Sequence, residues 1–317
     1  MKSKKNIFLI FKADQGERYG YGHLYRMLSI YNFLKKNTNL KFYFFINNNN
    51  DVKSLLRNKK INNIFSIKTK KNFENLDNTI CVIDTFLKLG KDIKNFISNN
   101  NLKKVIIFDN IEKNNYIKIN PVAYLTKKFP NHRNIYQGLK YFITNKSKKS
   151  KKSKLYKKIL ITIGGSDKYN LSYLIAKKIM NDFSLSVLVG PGYNKKNKIF
   201  KLKNIKFFRN LKSTSNLFLN NDIVISTGGF SMFESCSLNK PTFVIENYRH
   251  QKNAIKYFEK KKYIYNFGSR KKFKQLSSKK TILILKNTKI IKNLIKKNQN
   301  IFDSKAISRI KDIILKI

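Results

Sequence analysis

Short apolar runs separated by amphipathic stretches set the rhythm of this chain. In the first half, residues 7–11, 41–46, 79–83 and 104–108 have the length and the Ile, Val, Phe and Leu content of buried strands, and a shorter run lies near 123–125. Between them, 23–36, 52–58 and 93–99 place apolar residues at helical spacing, as with Leu28, Ile30, Tyr31 and Leu34. Strand and helix in alternation predict β-α-β units on a parallel sheet.

The rhythm breaks at residues 145–154, a run of Lys and Ser with nothing to bury, which reads as an exposed connection. It restarts with a strand at 158–163 and a helix at 171–180. Strands at 185–189, 205–208, 223–226 and 242–245 follow, and the tail from about 282 to 317 has helical spacing. The expected organisation is a domain over 1–144, a linker over 145–156, a second domain over 157–300 and a closing helix over 301–317. Each half is α/β, and ligands of such sheets bind beyond the carboxyl ends of the strands.

Composition narrows the classes. The 317 residues are enough for two ordinary domains, and 41% hydrophobic content with 13% aromatic, all Phe and Tyr, supports packed cores. The formal net charge of +51 comes almost wholly from Lys spread along the chain beside abundant Asn and Ile. That distribution reads as solvated faces under A/T-rich codon usage, and no recognition motif for nucleic acid accompanies it. The charge still steers anionic small molecules. Cys81 and Cys236 are the only cysteines and read as buried free thiols in a reducing compartment. The run at 7–11 is too short for a secretory signal, and nothing reaches the length of a membrane span. A cytoplasmic protein without membrane insertion is the expectation; the sequence is silent on oligomeric state.

Candidate chemistry gathers after three of the predicted strands. Gly20-Tyr21-Gly22-His23 follows the first and opens a helix, where a histidine would stand beside backbone N–H groups as an acid/base residue. A tight turn with a structural histidine is the alternative. Gly164-Gly165-Ser166 follows the run at 159–163, and Gly228-Gly229 ends the strand at 223–226 before a helix. Turns of this kind aim N–H groups and a helix dipole at an anion, and two of them would bracket a diphosphate. Glu234, about a turn into that helix, either accepts hydrogen bonds from a ribose diol or complements the dipole. No Asp/His cluster points to a divalent metal, and no cofactor is expected.

Taken in order, several segments resemble the UDP-sugar hydrolases of pseudaminic acid biosynthesis, relatives of the MurG-type glycosyltransferases. They are Lys12-Ala13-Asp14, Gly20-x-Gly22-His23-x-x-Arg26, Val82-Ile83-Asp84, Ile107-Phe108-Asp109, Gly164-Gly165-Ser166-Asp167, Ser226-Thr227-Gly228-Gly229 with Glu234, Leu238-x-x-Pro241, Gln251 and Asp303. The resemblance implies a GT-B-like fold, two Rossmann-like domains facing a central cleft, with a UDP-sugar as the small-molecule partner. It implies that Gly164, Gly165, Ser166, Gly228, Gly229, Ser231, Glu234 and Gln251 hold the nucleotide side. On the sugar side it implies Asp14, Gly20, Gly22, Arg26 and Asp84, with His23 as general base on the water that displaces UDP. A UDP-sugar glycosyltransferase with the same donor site is the alternative. Thr85-Phe86, Phe230 and Arg249-His250 depart from the family's pattern, which bears on the sugar more than on the nucleotide.

Overall fold

The computed structural model describes residues 6–11, 22–46, 50–68, 76–125, 129, 133–144, 155–190, 192–194, 196–209, 211, 213–299 and 301–317. The Lys/Ser run at 145–154, Asp14, Gly20 and His132 lie outside these residues. The chain divides into two compact units, Met1–Ile143 with Lys305–Ile317, and Thr144–Ser304.

The first unit runs β1 (Asn6–Phe11), α1 (Gly22–Asn37), β2 (Lys41–Ile46), α2 (Asn50–Asn58), β3 (Ile64–Ser66), β4 (Thr79–Leu87), α3 (Lys91–Asn99), β5 (Lys104–Asn110), β6 (Ile117–Asn120) and β7 (Ile135–Gln137). Its strands form one parallel sheet in the order β3-β2-β1-β4-β5-β6-β7. Alternate residues of each strand face opposite sides. Ile7, Leu9, Ile80, Val82, Ile106 and Phe108 pack with Leu24, Met27, Leu28, Tyr31 and Leu34 of α1. Phe8, Ile10, Cys81, Ile83, Val105 and Ile107 pack on the other side with Ile93, Phe96 and Ile97 of α3. Both faces are covered, as a parallel sheet requires.

The second unit runs β8 (Lys158–Thr162), α4 (Leu171–Ile179), β9 (Ser184–Leu188), β10 (Ile205–Phe208), α5 (Ser215–Leu219), β11 (Ile223–Ser226), α6 (Phe230–Ser237), β12 (Thr242–Glu246), α7 (Lys252–Lys260), β13 (Tyr265–Ser269), α8 (Arg270–Gln275), α9 (Ser278–Lys286) and α10 (Thr288–Asn298). Its sheet, also parallel, has the order β10-β9-β8-β11-β12-β13. The chain then returns to the first unit as α11 (Ala306–Leu315), where Ile310, Ile313 and Ile314 join the α1 core and Arg309 bonds Lys140 O at 2.9 Å.

Two expectations are corrected. Residues 123–125 form a 3-10 turn, Ala123–Leu125, because the N–H groups of Val122 and Ala123 bond a carboxylate rather than a neighbouring strand. The helical tail starts earlier than the expected 282, at Ser278, and is divided before the closing helix: Ser277 Oγ accepts from Lys280 N at 3.2 Å and Asn287 Oδ1 from Ile290 N at 3.1 Å, each starting a new helix. Strands β3, β6, β7 and β13 escape the periodicity because they are short or carry polar residues such as Lys118 and Asn120. Cys81 and Cys236 are buried free thiols. Among the described residues, no helix is long and apolar enough to cross a membrane.

Candidate functional site

In the first unit the chemistry sits where α1 meets the carboxyl ends of β4 and β5. His23 and Arg26 are three positions apart in the opening turn of α1, so they share a face. That face is the one that buries Leu24 and Met27 against the sheet, and it takes both polar side chains inside: His23 is 5% and Arg26 4% exposed. Asp84 continues the Ile80–Val82 side of β4 toward α1 and is fully buried. His23 Nδ1 lies 2.7 Å from Asp84 Oδ1, while Arg26 Nε and Nη2 reach Asp84 Oδ2 and Oδ1 at 2.6 Å each.

Asp109 completes the cluster. Strict alternation would send it to the α3 side with Val105 and Ile107, but its backbone is left-handed (φ 49°), which breaks the alternation. Its Oδ2 then receives Arg26 Nη1 at 2.6 Å, and its Oδ1 receives the N–H groups of Val122 and Ala123 at 2.8 and 2.7 Å. The guanidinium also lies over the Phe108 ring, 5.0 Å from its centroid. Burial alone would raise the Asp84 carboxyl; the charges of Arg26 and His23 and their hydrogen bonds outweigh it, so Asp84 stays well below the usual carboxylate range. Burial likewise acts against the Arg26 charge, and the two aspartates more than restore it. Asp84 is therefore ionised, and as an acceptor-only group it takes the hydrogen bond of His23 Nδ1–H.

In the second unit the candidate residues gather at the carboxyl ends of the neighbouring strands β8 and β11. Gly164 has φ +92°, a conformation L side chains rarely adopt, and it turns the chain sharply after β8. Gly190, after β9, holds that turn from behind. A Cβ there would stand 2.4 Å from Gly165 O and 2.5 Å from Gly164 O, and Gly192 N donates to Gly165 O at 2.8 Å. Asp167 starts α4 by accepting from Leu171 N at 2.7 Å, Ser172 N at 2.9 Å and the Ser172 hydroxyl. Gly229 is the N-cap of α6 and no side chain caps the helix there, so its N-terminus lies at the Gly228–Gly229 turn. The two turns are tied together by Thr162 Oγ1, which donates to Ser231 Oγ at 3.1 Å.

Glu234 stands in the second turn of α6 and accepts from the Thr214 hydroxyl of the segment after β10. The residue keeps some exposed surface, yet its carboxyl is enclosed. Burial pushes it up to about 7, against the lowering effect of the Thr214 hydrogen bond. Gly228 lies against Ile255 and Gln251. Gln251 is buried, its amide nitrogen beside Gly229, and its Oε1 has no hydrogen-bond partner.

Of the residues singled out in the sequence, Gly22, His23, Arg26 and Asp84 come together in the first unit. Gly164, Gly165, Ser166, Gly228, Gly229, Ser231, Glu234 and Gln251 come together in the second. Asp14 and Gly20 lie outside the described residues. Arg26 and Asp84 hold one another and His23 rather than presenting free charge. The sequence reading gave Asp109 no role and omitted Thr162, Thr214 and Gly190. Gly190-Pro191-Gly192 directly after an apolar run was the available signal for the last of these.

No family model matches the chain. An uncharacterized protein of Methanocaldococcus jannaschii is 28% identical, with the match covering 78% of this chain but only 57% of that protein. Among solved structures, MurG of Acinetobacter baumannii superposes with a TM-score of 0.66 at 11% identity, over 99% of this chain and 100% of that one. MnaA of S. aureus in complex with UDP gives 0.64 at 12%, over 98% and 96%. A UDP-GlcNAc 2-epimerase from Neisseria meningitidis bound to UDP-GlcNAc gives 0.59 at 13%, over 98% and 100%. The fold is that of the GT-B group: two parallel sheets, each flanked by helices.

Proposed function

We propose that this chain is a nucleotide-sugar enzyme, and specifically a hydrolase that splits a UDP-acetamido-deoxy sugar into UDP and free sugar. The observation that carries the reading is the buried His23–Asp84 pair, 2.7 Å apart and braced by Arg26 at the start of α1. An ionised Asp84 orients the imidazole and stabilises the imidazolium that forms when Nε2 takes a proton. In the proposed reaction a water oxygen attacks the anomeric carbon and its proton passes to His23. The bond from that carbon to the diphosphate oxygen breaks, and UDP leaves with the electron pair. The turns at Gly164–Ser166 and Thr227–Gly229 are assigned to the diphosphate, whose growing charge meets backbone N–H groups and the α6 dipole. Glu234 and Thr214 are assigned to the ribose. The resemblance in motif order and the UDP complexes among the structural neighbours support the nucleotide assignment.

The test is UDP release from a panel of UDP-acetamido sugars with no acceptor present. Wild type is expected to release UDP and free sugar, and His23→Ala to lose about 10²–10⁴-fold in kcat with UDP affinity unchanged. Release only on adding a sugar acceptor would make the protein a glycosyltransferase with the same donor site. Full turnover in His23→Ala would remove the base assignment.

A further inference from the structure

The first unit buries one more carboxylate than its guanidinium requires. Arg26 already meets Asp84 through two nitrogens, Nε and Nη2, at 2.6 Å each. A two-point contact of that kind is a complete pairing of one arginine with one carboxylate. Asp109 nevertheless brings a second buried carboxylate to Nη1, also at 2.6 Å. Two carboxylates against one guanidinium leave one negative charge in excess, and imbalance of charge out of water is costly.

The fold holds Asp109 in this place with contacts of its own. Its Oδ1 accepts the N–H groups of Val122 and Ala123, and its left-handed backbone turns the side chain toward Arg26. The next residue is locked as well. Asn110 N donates to Asn120 Oδ1 at 3.0 Å and Asn120 Nδ2 donates to Asn110 O at 3.2 Å, with both residues fully buried. Asn120 O in turn accepts from Gly138 N at 3.1 Å. The ends of β5 and β6 thus fix this carboxylate independently of α1. The charged groups that α1, β4 and β5 bring to His23 are Arg26, Asp84 and, through Arg26, Asp109.

Resting on the hydrolase reading for its part in catalysis, we propose that Asp109 is a positioning residue whose charge, acting through Arg26 and Asp84, favours the proton that His23 takes up in the reaction. Once the imidazole holds that proton, the two carboxylates face two cations and the buried group is balanced. Away from bulk water such a balance weighs far more than it would at the surface. Asp84 orients the ring; Asp109 supplies the charge that Arg26 would otherwise take from Asp84.

The readout is the imidazole itself, followed by NMR across pH in histidine-labelled protein, with the His23 signal assigned by its loss in His23→Ala. Asp109→Asn keeps the side chain's shape and removes its charge, and the His23 titration midpoint is expected to fall by about one pH unit. Arg26→Gln combined with Asp109→Asn removes one charge of each sign. Arg26 shares Asp84 with His23 and is the nearer of the two, so the midpoint of the double variant is expected at or above the wild-type value. A purely structural Asp109 predicts no such recovery. A midpoint unmoved in Asp109→Asn, or one that falls as far in the double variant, overturns the proposal. If the single variant does not fold, the double variant decides alone: a midpoint below wild type overturns the proposal. None of these outcomes depends on the substrate. Where wild type releases UDP, the acid limb of the kcat–pH profile is expected to move with the midpoint. A limb that stays while the midpoint moves removes His23 as the base and leaves the effect of Asp109 on the ring standing.

Discussion

The carboxyl ends of the central strands carry opposite chemistry in the two units. In the first, β4 and β5 end in carboxylates locked onto a guanidinium that is itself out of water. In the second, β8 and β11 end in glycine turns and hydroxyls, and the nearby acid, Glu234, is held by a neutral hydroxyl. Both lie at the sheet edge where α/β proteins place ligands, yet one is built from charge and the other from backbone. A buried ion network holds a titrating ring in one orientation at a large desolvation cost, which only close pairing offsets. Backbone turns carry no net charge, need no counter-ion and suit an anion that must enter and leave.

The contrast is sharpest under mutation of Arg26. Arg26→Met leaves Asp84 and Asp109 buried without their cation, and a stability loss of about 3–5 kcal/mol is expected in urea titration. Arg26→Lys is expected to recover only part of it, because one ammonium cannot pair with two carboxylates through three nitrogens. A loss below about 1 kcal/mol would mean that the network is not the brace it is taken to be.

The second unit should break through shape instead. Gly190→Ala drives a methyl group into the carbonyls of Gly164 and Gly165, and an overpacking cost of about 1–3 kcal/mol is expected, with weakened UDP affinity. Unchanged UDP binding in a folded Gly190→Ala protein would detach the β8 turn from the diphosphate.

The smallest effect distinguishes the two acids by pH. Asp84 is held below the usual range, so its contribution to stability is full above the unfolded pKa of about 4 and is lost as pH falls toward its own lower value. Glu234 has the opposite sign. Its pKa is raised from 4.5 to about 7, so the folded state retains a proton the unfolded state has lost, and stability falls as pH rises between those values. Glu234→Gln should therefore raise Tm at pH 8, by an amount equivalent to about 1–2 kcal/mol for a partly screened group, and leave it unchanged near pH 4. A variant that is no more stable at pH 8 than wild type would place the carboxyl in water.

Much of this arrangement is legible in the chain itself. His23 and Arg26 share a face because a helix fixes their spacing, and Asp84 and Asp109 each end an apolar run, where strands of a parallel sheet deliver side chains to one edge. The glycine turns after the runs at 159–163 and 223–226 were equally visible. What was not visible depends on partners distant in sequence: the clamp of Gly190 on the β8 turn, the hydroxyl tie from Thr162 to Ser231, and the packing of the Arg270 guanidinium over the Tyr169 ring.

Periodicity determined the two-sheet α/β class and which residues would stand at the strand ends, since burying an apolar face constrains every position along an element. Only the tertiary structure decided that Arg26 is a brace and that Asp109 turns against its strand's alternation to meet it. Those outcomes depend on which side chains meet across separate elements, and a local pattern of hydrophobic and polar positions does not encode them.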